Sequence, residues 1–350
     1  MKLEKTIALR VELTDAERVR RFLYDNNFIR NDLKLTKDEK FVYFPLKEKP
    51  KEFDSYKILK FEFERINKKP NSYKDLLKIP NNIKQNLPTS YDVVGDIILL
   101  KLSDDFLFYS KNIGEALLKT NKNIKTVCIS NPVSGELRIR DLKIIAGENN
   151  TTTIHKEYGI LLKVDLGKIY FSPRLANERK RVANLVQSDE TVVDMFAGVA
   201  PFSIMIAKYA NPKIVYALDK NKDAVKYAQF NVKKNNVLDK VEVINMDAMK
   251  IYDKLGKRGI KADRIIMNLP FSSYLFFDSA LKVIADSCTI HYYDILKEEN
   301  IEKRKNELEK IAKKYDIDLS NLDVRKIKTY APREFYIGID ITAKKNADVA

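Results

Sequence analysis

The sequence predicts an α/β fold: a doubly wound, mostly parallel sheet with a terminal antiparallel hairpin, preceded by two smaller α+β segments. From Ser172 onwards, short apolar stretches alternate with helical stretches, as in parallel sheets covered by helices. A polar stretch with a proline, residues 67–72, interrupts the apolar pattern and predicts a linker. Near the end, Ala331 and Pro332 separate two β-rich stretches, which predicts an antiparallel hairpin.

The first segment, residues 1–66, reads as a small α+β domain. Thr14 and Glu17 have the spacing of a capping box, in which a hydroxyl and a carboxylate satisfy free N–H groups where a helix starts. The helix is predicted to run to about Asn26. Aromatic and β-branched residues predict strands over Lys5–Glu12, Phe41–Leu46 and Tyr56–Glu64.

The second segment, residues 73–169, is a further predicted α+β domain. A helix is expected over Ile113–Thr120. Strands are predicted over Val93–Leu102, Leu137–Leu142, Thr151–Lys156 and Leu161–Leu166.

The third segment, residues 170–350, is the predicted parallel-sheet domain. Its first helix starts at Ser172-Pro173, where serine caps the helix and proline occupies a position that needs no N–H, and it runs to about Val186. Further helices are predicted from Pro201, over Lys222–Asn235 and over Ile301–Lys314. Strands are predicted over Thr191–Asp194, Ile214–Asp219, Val241–Asn245, Arg264–Asn268, Thr289–Asp294, Val324–Tyr330 and Phe335–Thr342.

Composition narrows the class of function. Lys and Arg number 64 against 49 Asp and Glu, a net charge of +15, which favours a polyanionic partner such as nucleic acid. A heavily charged, thermophilic surface is the alternative explanation. The 350 residues contain no apolar run long enough for a transmembrane helix, and the start lacks a signal-peptide pattern. Cys128 and Cys288 cannot form a disulfide framework, so we expect a cytoplasmic protein without a metal site.

The densest chemical signal is a series of polar residues at the predicted carboxyl ends of neighbouring strands. The first strand ends at Asp194 and runs into the small-residue turn Met195-Phe196-Ala197-Gly198-Val199-Ala200, before a helix at Pro201. The following strands end at Asp219, at Asp247 and at Asn268. Ligands of open α/β sheets bind at this edge, and an acid after the second strand can accept hydrogen bonds from ribose hydroxyls. The turn matches neither the dinucleotide fingerprint nor the P-loop.

Residues 170–345 therefore resemble the Rossmann-like, class I S-adenosyl-L-methionine-dependent methyltransferases. The resemblance implies that the methionine part of the cofactor lies near Asp194–Gly198, the ribose on Asp219 and the adenine by Asp247. Ala200 departs from the family pattern, since many members have glycine there, and its methyl group narrows the turn.

Segments upstream and downstream refine this resemblance. Ser134–Leu142, Ala146–Asn149, Thr153–Glu157 and Val164–Arg179, together with the Asp194 turn, Asn268-Leu269-Pro270 and Tyr330–Glu334, resemble the archaeal and eukaryotic tRNA guanine-37 N1-methyltransferases. The match covers residues 90–340 well. The first 65 residues match only in size and α+β character.

This resemblance assigns roles to individual residues. Guanine N1 carries a proton, so its methylation needs a base and a donor that stabilises charge growing on O6. By position in the family motifs, Glu178 is the base, Arg138 the O6 donor, and Asn268 holds the base edge. The target base must leave its stack to enter such a pocket. The residues implied to bind the cofactor are Tyr170, Arg179, Asp194, Phe196, Gly198, Asp219, Lys220, Asp247, Ala248, Asn268 and Pro270.

The resemblance implies tRNA as the partner, bound through the two early domains at phosphates and recognised at position 37. We expect a monomer without an obligate protein partner. Three alternatives stay open. Phe271 stands where lysine is expected in simple members, and together with Ala200 it indicates a bifunctional or specialised archaeal paralogue that methylates the tricyclic wyosine precursor at carbon, instead of or in addition to guanine at N1. Asn268-Leu269-Pro270-Phe271 is close to the motif of exocyclic-amine methyltransferases. The third is a non-catalytic RNA-binding protein.

Overall fold

The computed structural model describes residues 3–53, 55–66, 70, 72–135 and 137–346. Contacts divide the chain into two compact units, Met1–Asp75 and Leu76–Ala350. Most of the predicted linker, residues 67–69 and 71, lies outside the described residues. The predicted border at residue 170 falls inside the second unit, and the division into three domains stays a prediction.

The first unit is a small antiparallel sheet with one helix. Leu9, Val11 and Phe44 on one face of the sheet pack against Val19 and Leu23 of the helix, as strand alternation and helical periodicity require. The helix begins after Asp15 without a side-chain cap, so the predicted capping box is wrong. The elements are β1 (Leu3–Glu12), α1 (Ala16–Asp25), β2 (Thr36–Lys37), β3 (Phe41–Pro45) and β4 (Lys57–Glu64), in sheet order β2-β3-β1-β4.

The second unit opens with a mixed sheet in the order β5-β6-β7-β8, followed by an antiparallel hairpin of β9 and β10. The single strand predicted over Val93–Leu102 is two strands that turn at Gly95, whose φ is +56° and which packs against Thr153. The strand β7 was not predicted. The elements are α2 (Asn81–Asn86), β5 (Asp92–Val94), β6 (Ile97–Leu100), α3 (Ser110–Thr120), β7 (Thr126–Ser134), β8 (Ile139–Gly147), β9 (Thr152–Glu157) and β10 (Ile160–Asp165).

The rest of the second unit is the predicted doubly wound sheet. Its helices are α4 (Ala176–Leu185), α5 (Pro201–Tyr209), α6 (Lys222–Lys234), α7 (Ile251–Lys254), α8 (Phe277–Leu281) and α9 (Ile301–Lys313). Its strands are β11 (Thr191–Asp194), β12 (Ile214–Asp219), β13 (Val241–Asn245), β14 (Ala262–Met267), β15 (Ile284–Lys297), β16 (Ile317–Ala331) and β17 (Glu334–Lys345).

The strand order of this sheet is β13-β12-β11-β14-β15-β17-β16. The strands from β11 to β15 pair in parallel, and β17 pairs antiparallel with both β15 and β16. The predicted parallel sheet and terminal hairpin are confirmed. The last strand of the hairpin lies inside the sheet, however, and β16 forms the edge.

Helices cover both faces of this sheet, because neighbouring strand residues point to opposite sides. Val192 belongs to one core cluster and Val193 to the other. The first cluster also takes in Leu162 and Val164 of β10. Two asparagines at the end of α6 fix that hairpin. Asn231 in the helix and Asn235 directly after it donate to and accept from the backbone of Lys163 and Leu161 at 2.7–3.0 Å. The segment before the sheet is therefore anchored to α6.

Ser172 stands before the first helical turn of the third segment, but its side chain makes no capping hydrogen bond, so that part of the prediction is wrong. Among the described helices, none is long and apolar enough to cross a membrane. Both cysteines are buried free thiols.

Candidate active site

A cleft with about 1120 Å³ of empty space lies at the carboxyl ends of β11, β12, β13 and β14. It is the edge of the sheet at which the sequence predicts a ligand. Ten of the predicted site residues line it. They are Arg138, Tyr170, Arg179, Phe196, Gly198, Asp219, Lys220, Asp247, Ala248 and Asn268. Glu178, Asp194 and Pro270 were also predicted in the site but are not among the lining residues.

The floor of the cleft is the turn between β11 and α5. Gly198 has φ +57°, and a Cβ built on it would stay 3.9 Å from the nearest neighbour, Tyr170 O. Backbone is therefore exposed to a ligand at this point. The Gly198 N–H donates to Asp219 Oδ2 at 2.7 Å, which ties the first turn to the end of the second strand. Ala200, with φ +63°, occupies a left-handed conformation before α5 begins.

Asp219 is held in place by backbone donors. Its Oδ1 accepts from Asn221 N–H at 2.8 Å, and Asn221 in turn caps α6 by accepting from Asp223 N–H at 2.9 Å. Burial raises the pKa of Asp219, while the hydrogen bonds from Asn221 and Gly198 oppose that rise. Asn221 also lines the cleft and was missed, although asparagine immediately before a helical pattern is a recognisable cap signal.

Two further acidic residues stand at strand ends in different environments. Asp247 lines the cleft, accepts from Met249 N–H at 3.0 Å and has the Lys220 ammonium 3.5 Å away. Asp194 lies beneath the turn, where Ser203 Oγ donates to its Oδ2 at 2.8 Å and its buried Oδ1 has no partner in the described part of the chain. Burial raises the pKa of Asp194 to about 7. Asp194 thus supports the turn from below.

A buried ion pair fixes one wall of the cleft. Arg179 of α4 donates to both carboxylate oxygens of Glu157 at 2.6 and 2.5 Å, and both side chains are almost completely buried. Burial opposes ionisation of Glu157, but hydrogen bonds from His155 and Arg179 hold its pKa below the usual range. The pair joins α4 to the β9–β10 hairpin.

Two aromatic rings surround Arg138 at the edge of the cleft. The Arg138 guanidinium lies 5.2 Å from the ring centre of Tyr170 and 5.9 Å from that of Phe271, and its Nη1 donates to Pro270 O at 3.1 Å. Arg138 and Phe271 both have positive φ angles, +54° and +70°. Bulky residues adopt this conformation only where the surroundings enforce it. The loop Asn268–Phe271 and the upstream segment thus meet around one guanidinium.

Asp294 holds this loop from beneath. It is fully buried and accepts from Phe271 N–H at 2.8 Å, from Ile295 N–H at 2.8 Å and from Tyr292 Oη at 2.7 Å. Arg304 lies 3.4 Å from its second oxygen. The sequence gives no signal for this role, since Asp294 appears only as the end of a strand.

Asn268 is held by a tyrosine. Tyr336 of β17, itself buried, donates its hydroxyl hydrogen to Asn268 Oδ1. Tyr336 was not predicted as part of the site.

Glu178 is buried within a cluster of partly buried charges. Arg181 donates to its carboxylate at 2.8–3.2 Å, Arg325 at 3.1–3.2 Å and Tyr293 Oη at 2.8 Å. Burial alone would raise the pKa of Glu178, but the hydrogen bonds from Arg181, Arg325 and Tyr293 hold it below the usual range. The carboxylate is therefore ionised at neutral pH.

Both arginines of this cluster share a second carboxylate. Asp340 accepts from Arg181 at 2.8 and 3.1 Å and from Arg325 at 3.1 Å. Its Oδ1 lies 2.6 Å from Nδ1 of the fully buried His291, whose Nε2 faces Arg264 at 2.8 Å. Burial lowers the pKa of His291, so the ring is neutral and donates from Nδ1. Asp340, Arg325 and His291 come from distant parts of the sequence and were not predicted to support Glu178.

Taken together, the cleft suits a nucleoside with a charged tail. It offers exposed backbone at Gly198, carboxylate acceptors at Asp219 and Asp247, and the guanidinium of Arg179. These groups fit S-adenosyl-L-methionine, whose ribose hydroxyls and adenine amine donate to carboxylates.

Comparisons with known proteins identify the family of the chain. A TRM5/TYW2 methyltransferase domain matches residues 153–320, a TYW2 N-terminal domain residues 73–151 and a tRNA methyltransferase 5 N-terminal domain residues 8–54. The tRNA (guanine(37)-N(1))-methyltransferase Trm5b of Pyrococcus abyssi is 39% identical over 337 residues, which cover 96% of this chain and 98% of that protein. The chain belongs to the TRM5/TYW2 methyltransferase family. The resemblance, the Rossmann-like fold and the enzyme class predicted from the sequence are confirmed.

Solved structures and a further relative show which other TRM5/TYW2 proteins the chain resembles. A complex of aTrm5 with tRNALeu is 35% identical, with a TM-score of 0.74, over 96% of this chain and 99% of that one. TYW2 of M. jannaschii in complex with AdoMet is 31% identical, with a TM-score of 0.57, over 73% of this chain and 100% of that one. A tRNA(Phe) (4-demethylwyosine(37)-C(7)) aminocarboxypropyltransferase of Methanocaldococcus jannaschii is 35% identical over 255 residues, 71% of this chain and 96% of that protein.

Proposed function

We propose that this TRM5/TYW2 protein transfers a methyl group from S-adenosyl-L-methionine to N1 of the guanine at position 37 of tRNA. The observation that carries the proposal is the position of Arg138, which reaches the loop Asn268–Phe271 beside the nucleoside cleft. The near full-length likeness to a Trm5b protein supports the same reaction. When bound, S-adenosyl-L-methionine supplies an electrophilic methyl group from its sulfonium.

The pocket around Arg138 suits an unstacked purine. Tyr170 and Phe271 offer ring surfaces on which a flipped base can stack, and Phe271 is partly exposed. Between them, the permanently charged guanidinium donates to O6 and stabilises the negative charge that grows there as N1 loses its proton.

On the cofactor side, Asp219 accepts from the ribose hydroxyls and Asp247 from the adenine amine. Gly198 brings backbone close to the methionine part, and Arg179 presents a cation to the carboxylate. Because Glu157 already fixes Arg179, that guanidinium is positioned before the cofactor binds.

Glu178 accepts the N1 proton of guanine as the N1–methyl bond forms and the sulfur–methyl bond breaks. Its low pKa keeps it deprotonated and ready to accept. In the structure it is bound to Arg181 and Arg325, so it must leave them to reach a base in the cleft. Both arginines then still have Asp340 as a carboxylate partner, and neither charge is left unpaired.

Methyl transfer to an unmodified tRNA transcript with guanosine at position 37 tests the proposal, with nucleoside digestion and mass spectrometry as the readout. A transcript with adenosine at that position is the control. We expect 1-methylguanosine with the guanosine transcript alone. A transfer to a tRNA that carries the tricyclic precursor, with none to guanosine, would instead identify the C-methylating paralogue. N2-methylguanosine would identify an exocyclic-amine enzyme. A monomeric state and a cytoplasmic location stay predictions.

A further inference from the structure

In the structure, the amide of Asn268 turns its oxygen towards Tyr336 of β17. Its Oδ1 accepts the hydroxyl hydrogen of Tyr336, and this hydrogen is the only one that the phenol can donate. Tyr336 lies in the middle of the hairpin, paired with Ile295 on β15 and Lys328 on β16. Burial raises the pKa of Tyr336 well above its usual range, so the phenol stays protonated and remains a donor. An amide carries its oxygen and nitrogen on opposite branches, so this contact also fixes Nδ2.

The amide nitrogen of Asn268 faces the cleft. Asn268 lines the cleft, and its Nδ2 has no partner in the part of the chain that the structure describes. Nδ2 is not one of the described buried side-chain atoms that lack a hydrogen-bond partner, so it is accessible to a ligand. Next to it, the Arg138 Nη1 reaches Pro270 O, two residues along the same loop. The two side chains that meet at this loop, those of Asn268 and Arg138, thus both carry hydrogen-bond donors.

We propose that Tyr336 is a positioning residue that turns the Asn268 amide so that its Nδ2 donates, together with Arg138, to O6 of the target guanine. The inference rests on the proposed function. It explains in addition how the enzyme would select guanine over adenine. Guanine offers an acceptor at O6, whereas adenine places an amine donor at the same position. Two donors fixed by their surroundings accept the first base and reject the second.

The test uses single-turnover methyl transfer at saturating tRNA with Tyr336→Phe, Asn268→Ala and the double variant. Transcripts carry guanosine or inosine at position 37, because inosine keeps O6 and the N1 proton but lacks the 2-amino group. Tyr315→Phe is the matched control, since it also removes a tyrosine–side-chain hydrogen bond, to Asp278, and does not line the cleft. Calorimetry with S-adenosyl-L-methionine and thermal unfolding check that each variant is folded and binds the cofactor.

We expect Tyr336→Phe to slow transfer by roughly fivefold to tenfold, the factor for one lost hydrogen bond. The same factor should apply to guanosine and inosine, because both offer O6. When Asn268 is already alanine, Tyr336→Phe should not slow transfer any further, since Tyr336 acts through the Asn268 amide. Asn268→Asp, which keeps the acceptor for Tyr336 and removes the donor to O6, should slow transfer on both substrates.

Three results would overturn the assignment. The first is an unchanged rate in Tyr336→Phe. The second is an equal loss in the Asn268→Ala background, which would mean that Tyr336 acts elsewhere. The third is a loss on guanosine without one on inosine, which would assign Asn268 to the 2-amino group. A wild-type protein that forms no 1-methylguanosine would instead contradict the proposed function, so the two failures are distinguishable.

Discussion

At the scale of single residues, the proposed base is the sharpest prediction. Glu178→Gln removes the proton acceptor but keeps the size of the side chain. We expect methyl transfer to fall about 10²-fold or more, as for a lost general base, with unchanged affinity for S-adenosyl-L-methionine. Single-turnover rates and calorimetry measure the two quantities. Glu242→Gln, at an exposed glutamate, is the control. A rate equal to that of the wild type would remove Glu178 from the mechanism.

A second residue-scale prediction concerns Asp194 and pH. Its pKa rises from an ordinary 3.8 to about 7 in the folded chain, so the folded chain binds this proton more tightly than the unfolded chain. The protonated carboxyl therefore stabilises the folded chain in full when the pH is below the ordinary pKa of 3.8, and this stabilisation is lost as the pH rises through about 7. Asp194→Asn abolishes this loss. The Tm of the variant, relative to wild type, should therefore be higher at pH 8 than at pH 5.

Exposed Asp223, at the start of α6, provides the control for that measurement. Asp223→Asn should shift the Tm by the same amount at both pH values. An Asp194→Asn difference that does not change with pH would show that the carboxyl is ionised throughout.

At the scale of elements, the loop Asn268–Phe271 depends on one carboxylate of the neighbouring strand. Asp294→Ala removes the acceptor of two backbone N–H groups and the buried one of the two carboxylates near Arg304, the other being Glu307. We expect a loss of about 3–5 kcal/mol in the free energy of unfolding, as for a broken buried ion pair, together with slower methyl transfer. Thermal unfolding and single-turnover kinetics measure both.

Asp253→Ala is the matched control for Asp294→Ala, since its ion pair with Lys257 is exposed on both sides. It should change neither the Tm nor the rate. If Asp294→Ala destabilises the chain but leaves the rate unchanged, the loop does not need this support for catalysis.

The elements also show how much of the fold and of the site can be predicted from the sequence. Alternating apolar stretches predicted the strands from β11 to β14, because each strand is short and is followed by a helix. Of the longer β15, only the part Thr289–Asp294 was predicted. The acids at strand ends were found for the same reason. The side chains that support Asn268 and Glu178 were not predicted. They are Tyr336, Asp340 and Arg325, which reach the site only through long-range pairing. Local patterns contain no information about such contacts. At Gly95 and Asp96, a stretch predicted as one strand contains a turn.

At the scale of the whole molecule, the net charge is +15, and three of its cations lie near one another. Lys101, Arg140 and Lys328 have no carboxylate partner within the described residues, and Arg140 lies 5.4 Å from the Tyr170 ring centre. Burial, followed by the charge of Arg174, lowers the pKa of Lys328 to about 8. An ammonium crowded by other cations beside the cleft is suited to meet a phosphate of the bound tRNA.

Lys328→Gln tests this role. In the wild type, one positive charge disappears as the pH rises through about 8, so tRNA affinity should decline between pH 7 and pH 9. The variant should bind more weakly at pH 7 and should lack that decline. In a plot of log affinity against log salt concentration, the slope should be shallower for the variant than for the wild type by about 0.7–0.9. Filter binding at several salt concentrations measures both, with Lys257→Gln as the control. An unchanged slope would exclude a phosphate contact.

The position of β17 has a consequence for how the enzyme is made. Tyr336 and Asp340 lie four residues apart on the same side of this strand, so it supports both Asn268 and the arginines around Glu178. On the ribosome the strands that bear the cofactor loops emerge first, and β17 must then enter between β15 and β16. A partly synthesised chain without β17 lacks the side chains that hold Asn268 and the arginines around Glu178. We expect methyl transfer to tRNA to require this strand in place.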